Sequence, residues 1–202
     1  MIEDTTTRDT GFADPIGAAQ SIFRTLMDAS ARPGSRQPIP VMPAGPQGIP
    51  RQLAAIALAL ADFETPVWLG PGLAGHADCA NYLRFHTGAP LVEDPALAAF
   101  ALVSDAERMP ALSTFAQGTL EYPDRSTTVI IAVSDLQGGT LLRLRGPGIR
   151  DEAQIAPRPQ PDLLADQLAM NRAAFPLGVD LIFASPDEVA AIPRSVRVVT
   201  GS

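Results

Sequence analysis

Apolar positions along this chain of 202 residues recur with two different periods, and the switches between them divide it into elements. From Asp14-Pro15 onward, Ala19, Ile22, Phe23, Leu26 and Met27 fall three or four apart and form one face of a helix. Asp14 suits the N-cap, and Pro15 the first helical position, where its missing N–H costs nothing. "ARPG" (Ala31 to Gly34) stops that helix, and a short extended segment then runs into the loop "PVMPAGPQGIP". A second helix is expected from about Arg51 to Ala61. Its run "LAAIALALA" (Leu53 to Ala61) is far short of the roughly 20 apolar residues that span a bilayer, so it reads as a buried helix and no membrane contact is expected.

Downstream, strands and helices alternate. "TPVWL" (Thr65 to Leu69) reads as a short buried strand, "GHADCANYLRF" as a helix and "AAFALV" (Ala98 to Val103) as a strand. "STTVIIAV" (Ser126 to Val133) and "TLLRLRG" (Thr140 to Gly146) stand a hairpin's distance apart around Gln137-Gly138-Gly139, which predicts a local antiparallel pair. "PDLLADQLAMNRAAF" has helical periodicity, "GVDLIFA" is an apolar strand and "SVRVVT" an edge strand. The pattern predicts an α/β protein: a single domain with a mixed β-sheet flanked by helices. The length fits one core, with a flexible N-terminus over residues 1–14 and one α/β domain over residues 15–202.

Composition narrows the function classes. With 46% apolar, 18% charged and 5% aromatic residues, the balance is globular and the core is built mainly from Ala, Leu, Ile and Val. A net charge of -7 offers no broad basic footprint, so no nucleic-acid partner is expected. The start "MIEDTTTRDTGF" lacks the basic and apolar regions of a secretory signal, and a single Cys79 agrees with a reducing compartment; a cytoplasmic protein is expected. All 15 basic residues are Arg. Without Lys there is no Schiff-base anchor for pyridoxal phosphate, no lysine nucleophile and no phosphate-loop lysine, so no such cofactor is expected. Arg grips phosphate or carboxylate as a planar fork and transfers no proton.

His76, Cys79 and His86 are the only His and Cys residues, spaced H-x2-C-x6-H, with His86 placed beyond the end of its helix. No C-x2-C or H-E-x-x-H signature joins them, so no metal site is expected. There is no G-x-S-x-G elbow, and Gly146-Pro147-Gly148 lacks the third glycine of a dinucleotide fingerprint. Asp62 and Glu64 read as a polar helix-to-strand turn rather than an acid/base pair. In "YLRFHTGAPLV" (residues 82 to 92), Arg84 suits a helix C-terminus, Phe85 can anchor the turn, and Gly88 and Pro90 terminate the element. His86 is left as the neutral-pH proton carrier with polar neighbours. On a strand, Arg143 and Arg145 share one face while Leu142 and Leu144 face the core. The pair could hold an anion or meet acids of a neighbouring subunit, and both readings stay open. Asp180, the one charge in "FPLGVDLIF", requires an Arg partner, because burying a lone carboxylate costs several kcal/mol.

Taken in order, "SIFRTLMDASARPG", "DFETPVWL", "LRFHTGAPLV", "LRLRGPGI", "FPLGVDLIF" and "IPRS" resemble the PhnH family, the H subunit of the bacterial carbon-phosphorus lyase core complex, from about residue 15 to residue 197. The resemblance implies a role in phosphonate catabolism. There the G, H and I subunits with L make α-D-ribose 1-alkylphosphonate 5-triphosphate from ATP and an alkylphosphonate, and a radical subunit, J, later cleaves the C–P bond. It implies a fold like that of pyridoxal-phosphate-dependent transferases without the cofactor, a homodimer, and G, I and J as partners, with K and L associated. The family supplies no settled catalytic residue for this subunit. Arg32, Arg84, His86, Arg143, Asp180 and Arg194 stand in its matching motifs and are carried over as ligand-binding candidates. Two roles follow: a structural and interaction subunit, or one that lends Arg84, His86 and Arg143 to a phosphate-binding site completed by another subunit.

Overall fold

The computed structural model describes residues 11–45 and 48–199. The chain runs through α1 (Pro15–Ala31), β1 (Gln37–Pro38), α2 (Arg51–Leu60), β2 (Val67–Leu69), α3 (Pro71–Ala74), α4 (Ala77–Thr87), β3 (Leu91–Val92), β4 (Phe100–Val103) and β5 (Thr128–Ala132). It continues through β6 (Leu142–Arg145), β7 (Ala153–Ile155), α5 (Leu164–Ala173), β8 (Asp180–Ala184), β9 (Glu188–Ile192) and β10 (Arg197–Val198). Of the N-terminal stretch expected to be flexible, residues 1–10 lie outside the described residues, as do Pro46 and Gln47 of the Pro/Gly loop and Thr200 of the last predicted strand. Phe12 packs against the core.

Seven strands form one mixed sheet in the order β1-β9-β8-β5-β4-β2-β3. The five from β8 to β3 are parallel, while β9 and β1 add antiparallel at one edge. The α/β class and the mixed sheet are as expected. Central strand β5 explains the layering: "TVIIA" is buried on both faces, the sequence habit of a parallel strand covered from both sides. Ile130 and Ala132 join Ile22 and Leu26 of α1, Leu53 and Ile56 of α2, and Tyr82 and Leu83 of α4. Val129 and Ile131 point the other way, towards Leu142 and Leu144 of β6 and Leu164 and Leu168 of α5. Helices therefore cover one face of the large sheet. The opposite face is covered by α5 together with a second, three-stranded antiparallel sheet, β10-β6-β7.

That second sheet corrects the predicted hairpin of residues 126–146. β5 and β6 do not pair: β5 lies between β4 and β8, and β6 lies between β10 and β7. The physical reason is visible in their patterns. β5 needs cover on both faces, whereas β6 alternates buried and exposed and needs it on one. The turn at Gln137-Gly138 does exist, as Asp135 accepts from both backbone amides. It redirects the chain between layers instead of closing a hairpin. The large sheet's hairpin is β8–β9, closed by Ser185-Pro186-Asp187, with Ser185 N–H donating to the Glu188 carbonyl at 2.8 Å.

Helix α1 begins as expected, with the Asp14 carboxylate accepting from Gly17 N–H at 3.1 Å. Its buried face is Ala18, Ile22, Leu26 and Ala29, so the predicted stripe is displaced: Phe23 remains 48% and Met27 53% exposed. The apolar stripe is wider than the strip the sheet and α2 can cover. β10 is an edge strand, as expected. Among the described residues, no helix is long and apolar enough to cross a membrane.

Candidate functional site

Asp180 and Arg194 are the one pair of candidates that the fold joins directly. Asp180 opens β8 and Arg194 lies just past β9, and the antiparallel register Leu181↔Ile192 brings them side by side. Asp180 Oδ1 accepts from the Arg194 backbone N–H at 2.7 Å and from Nε at 3.3 Å, while Oδ2 accepts from a terminal guanidinium nitrogen at 2.8 Å. The other terminal nitrogen donates to the Pro123 carbonyl at 2.5 Å, so the guanidinium also ties the excursion between β4 and β5 to the sheet. This is the arginine partner that the lone carboxylate required. With both ends occupied, the pair is a structural clamp.

Asp180 also borders a groove of 340 Å³ lined by Phe23, Met27, Leu60, Phe100 and Pro193. Phe100, Thr128 and Asp180 are the first residues of their parallel strands, so the groove opens at the strands' N-terminal ends. Small-molecule sites in open parallel sheets form at the opposite, carboxyl ends. The groove's apolar lining suits contact with protein.

Arg84 and His86 occupy the last turn of α4. His86 is inside the helix, not beyond it. The helix runs on to Thr87, whose hydroxyl donates to the Leu83 carbonyl at 2.7 Å, and stops at Gly88, which takes φ 70° and caps the Arg84 carbonyl. Two residues on a helix stand about 200° apart around its axis, so Arg84 and His86 face nearly opposite ways. Arg84 lies over a cleft of 400 Å³ with Trp68, Pro71, Leu91 and Glu93. His86 packs against Tyr82 with the rings tilted, centroids 4.5 Å apart, and lines a different cleft with Phe12, Pro15, Leu58 and Phe85. One chain does not gather them into one site.

Arg32 and Arg143 are separate again. Arg32 caps α1 and pairs with Asp28 at 3.1 Å in solvent. Arg143 stands on the open face of β6, 3.9 Å from Glu152, which also meets Arg145 at 3.3 Å. The fold thus distributes the group Arg84, His86 and Arg143 over two faces of α4 and a different sheet.

The remaining polar groups have local tasks. His76 is exposed at the N-cap of α4, while Cys79 is fully buried and burial pushes its thiol up to about 11, a form that is neither nucleophile nor ligand at neutral pH. Among the described residues, no three His, Cys, Asp or Glu side chains come together as a ligand set. Asp62 accepts from Glu64 N–H at 2.9 Å and from the Thr65 hydroxyl at 3.0 Å, a self-contained turn. The Asp135 carboxyl is held below its ordinary 3.8 by the backbone N–H groups of Gln137 and Gly138 and by the Arg158 guanidinium, 3.1 Å away. Sequence reading passed over Arg197, which the register sets opposite Arg145. The alternation in "SVRVV" was the available signal, but it names a face only once the partner strand is known.

The chain matches the family described as bacterial phosphonate metabolism protein (PhnH) over residues 10–199. It is 42% identical over 187 residues, 93% of each chain, to the alpha-D-ribose 1-methylphosphonate 5-triphosphate synthase subunit PhnH of Rhizobium meliloti (strain 1021). To a putative C-P lyase subunit protein HtxG of Stutzerimonas stutzeri it is 33% identical over 179 residues, 89% of this chain and 85% of that relative.

Proposed function

The chain belongs to the PhnH family of bacterial phosphonate metabolism proteins, and from that premise we propose that it is a subunit of the carbon-phosphorus lyase complex, acting there as a structural and interaction subunit. The complex makes α-D-ribose 1-alkylphosphonate 5-triphosphate from ATP and an alkylphosphonate. This chain takes part as a homodimer in contact with the G, I and J subunits, with K and L associated. One observation carries the structural role: each candidate residue is either consumed in a clamp, as Asp180 and Arg194 are, or lies on a surface apart from the other candidates. The uncovered apolar face of α1, with Ile16, Phe23 and Met27 all exposed, supports contact with another chain. A transferase ancestry without pyridoxal phosphate agrees with the five parallel strands and the absence of Lys.

The reading in which this chain lends groups to a shared active site has one feature in its favour. Arg84 makes no ion pair among the described residues and is exposed over its cleft. The two readings separate in the assembled complex. The complex is purified with Arg84→Ala or His86→Ala in this chain, and adenine release is measured after adding L. Intact assembly with undiminished adenine release is the expected result. Intact assembly with lost release would overturn the structural role.

A further inference from the structure

The open face of the small sheet carries more arginine than the described residues neutralise. β6 alternates, so Leu142 and Leu144 are buried while the Arg143 and Arg145 side chains are each 50% exposed. β10 sets exposed Arg197 directly opposite Arg145 in the antiparallel register, which puts both on the same face; β7 sets Gln154 opposite Arg143. Glu152 alone answers Arg143 and Arg145, and Arg197 has no ion pair among the described residues.

Like charges directly opposite on a sheet oppose folding, so this arrangement costs the isolated chain something. It also sits on a protein of net charge -7, where acids to neutralise it were the commoner residue. Small anions are held in concave sites, and none of the clefts described above includes Arg143, Arg145 or Arg197. What fits an open sheet face with three guanidinium forks is an extended set of carboxylates.

We infer that the face formed by Arg143, Arg145 and Arg197 docks an acidic, carboxylate-rich surface of another protein subunit of the complex. The inference rests on the subunit reading above. An approaching acidic surface removes the Arg145–Arg197 repulsion as it binds and is steered by the field of three like charges, so association is fast and salt-sensitive. The surface is thus mildly unfavourable in the free chain and favourable in the assembly.

The test co-expresses the tagged chain with the G, I and J subunits and measures their capture from low to high salt. The wild-type chain is expected to capture them less well as salt rises. The triple reversal Arg143→Glu, Arg145→Glu, Arg197→Glu is expected to weaken capture about tenfold or more and to flatten its salt dependence; it keeps like charges opposite each other and sets them beside Glu152, so it does not raise the melting temperature of the free chain. The milder triple Arg→Gln variant removes the repulsion, so it gives a smaller loss of capture in the same direction with an unchanged or higher melting temperature in the free chain, and it serves if the reversal fails to fold. Capture by the folded variants equal to wild type, with the same salt slope, overturns the docking face alone. So does intact capture with loss of self-association in sedimentation, which would assign the face to a second copy. Intact capture with loss of tripolyphosphate binding by calorimetry would assign it to a small anion. A wild-type chain that captures no subunit overturns the subunit reading, and this inference with it.

Discussion

β5 and β6 are consecutive strands with opposite surroundings. β5 is buried from Val129 to Ala132 and touches helices on one side and the small sheet on the other. β6 buries Leu142 and Leu144 and turns Arg143 and Arg145 to solvent. In β5 every position from Val129 to Ala132 is core, so its side chains answer to volume and shape. In β6 only alternate positions are, and the others are released for charge. Of these two strands, β6 is the one with side chains left over for a surface function.

The strongest way to break that contrast is in the shared core. Ile131→Ala in β5 and Leu144→Ala in β6 empty fully buried sites of the same cluster, and each is expected to cost about 2–5 kcal/mol by denaturant unfolding. If Leu144→Ala cost little, the small sheet would be an appendage instead of the third layer. Next comes the clamp at the start of β8. Asp180→Ala leaves the Arg194 guanidinium, 16% exposed, without its carboxylate and is expected to cost about 2 kcal/mol, less than a fully buried pair because the site is partly wet. The double variant Asp180→Leu, Arg194→Met should recover part of that loss, and a double variant no better than the single would show that the clamp's worth lies elsewhere.

Asp135, at the turn that separates β5 from β6, sharpens the comparison through pH. Its folded carboxyl titrates below its ordinary 3.8, so the contribution is present above that value and lost as pH falls through the lower, folded one. Melting temperature followed into acid should fall less steeply in Asp135→Asn than in wild type over that window. Equal acid limbs would mean the turn is held without the charge. Smallest of all, Arg143→Ala on the open face should change stability by no more than about 0.5 kcal/mol, against several for its neighbour Leu144. A larger loss would make the Glu152 contact structural.

Much of this was legible in the sequence. Asp14-Pro15 marked the start of α1, the apolar run from Leu53 marked α2, and the isolated Asp180 announced a partner that proved to be Arg194. The alternation of Arg143 and Arg145 gave their common face. The rest was misread for identifiable reasons. Proximity along the chain suggested pairing β5 with β6, whereas the hairpin lay at Ser185-Pro186-Asp187, ahead of a strand, "EVAAI", that carried no polar alternation. Phe23 and Met27 satisfied helical periodicity and still stayed outside, because periodicity counts apolar residues without knowing how much surface will arrive to cover them. His86 was set beyond a helix that Gly88 ends two residues later.

By itself the sequence determined the kinds of element, the number of faces each must bury, the need for a counter-ion at Asp180 and, through motifs kept in order, the family. Tertiary structure alone decided which strands are neighbours, which clefts Arg84 and His86 line, and that Arg197 meets Arg145 across a sheet. The division has a physical cause. Periodicity and capping are properties of a few adjacent residues, whereas strand order is settled by which distant faces bury the most apolar surface once the whole chain has closed.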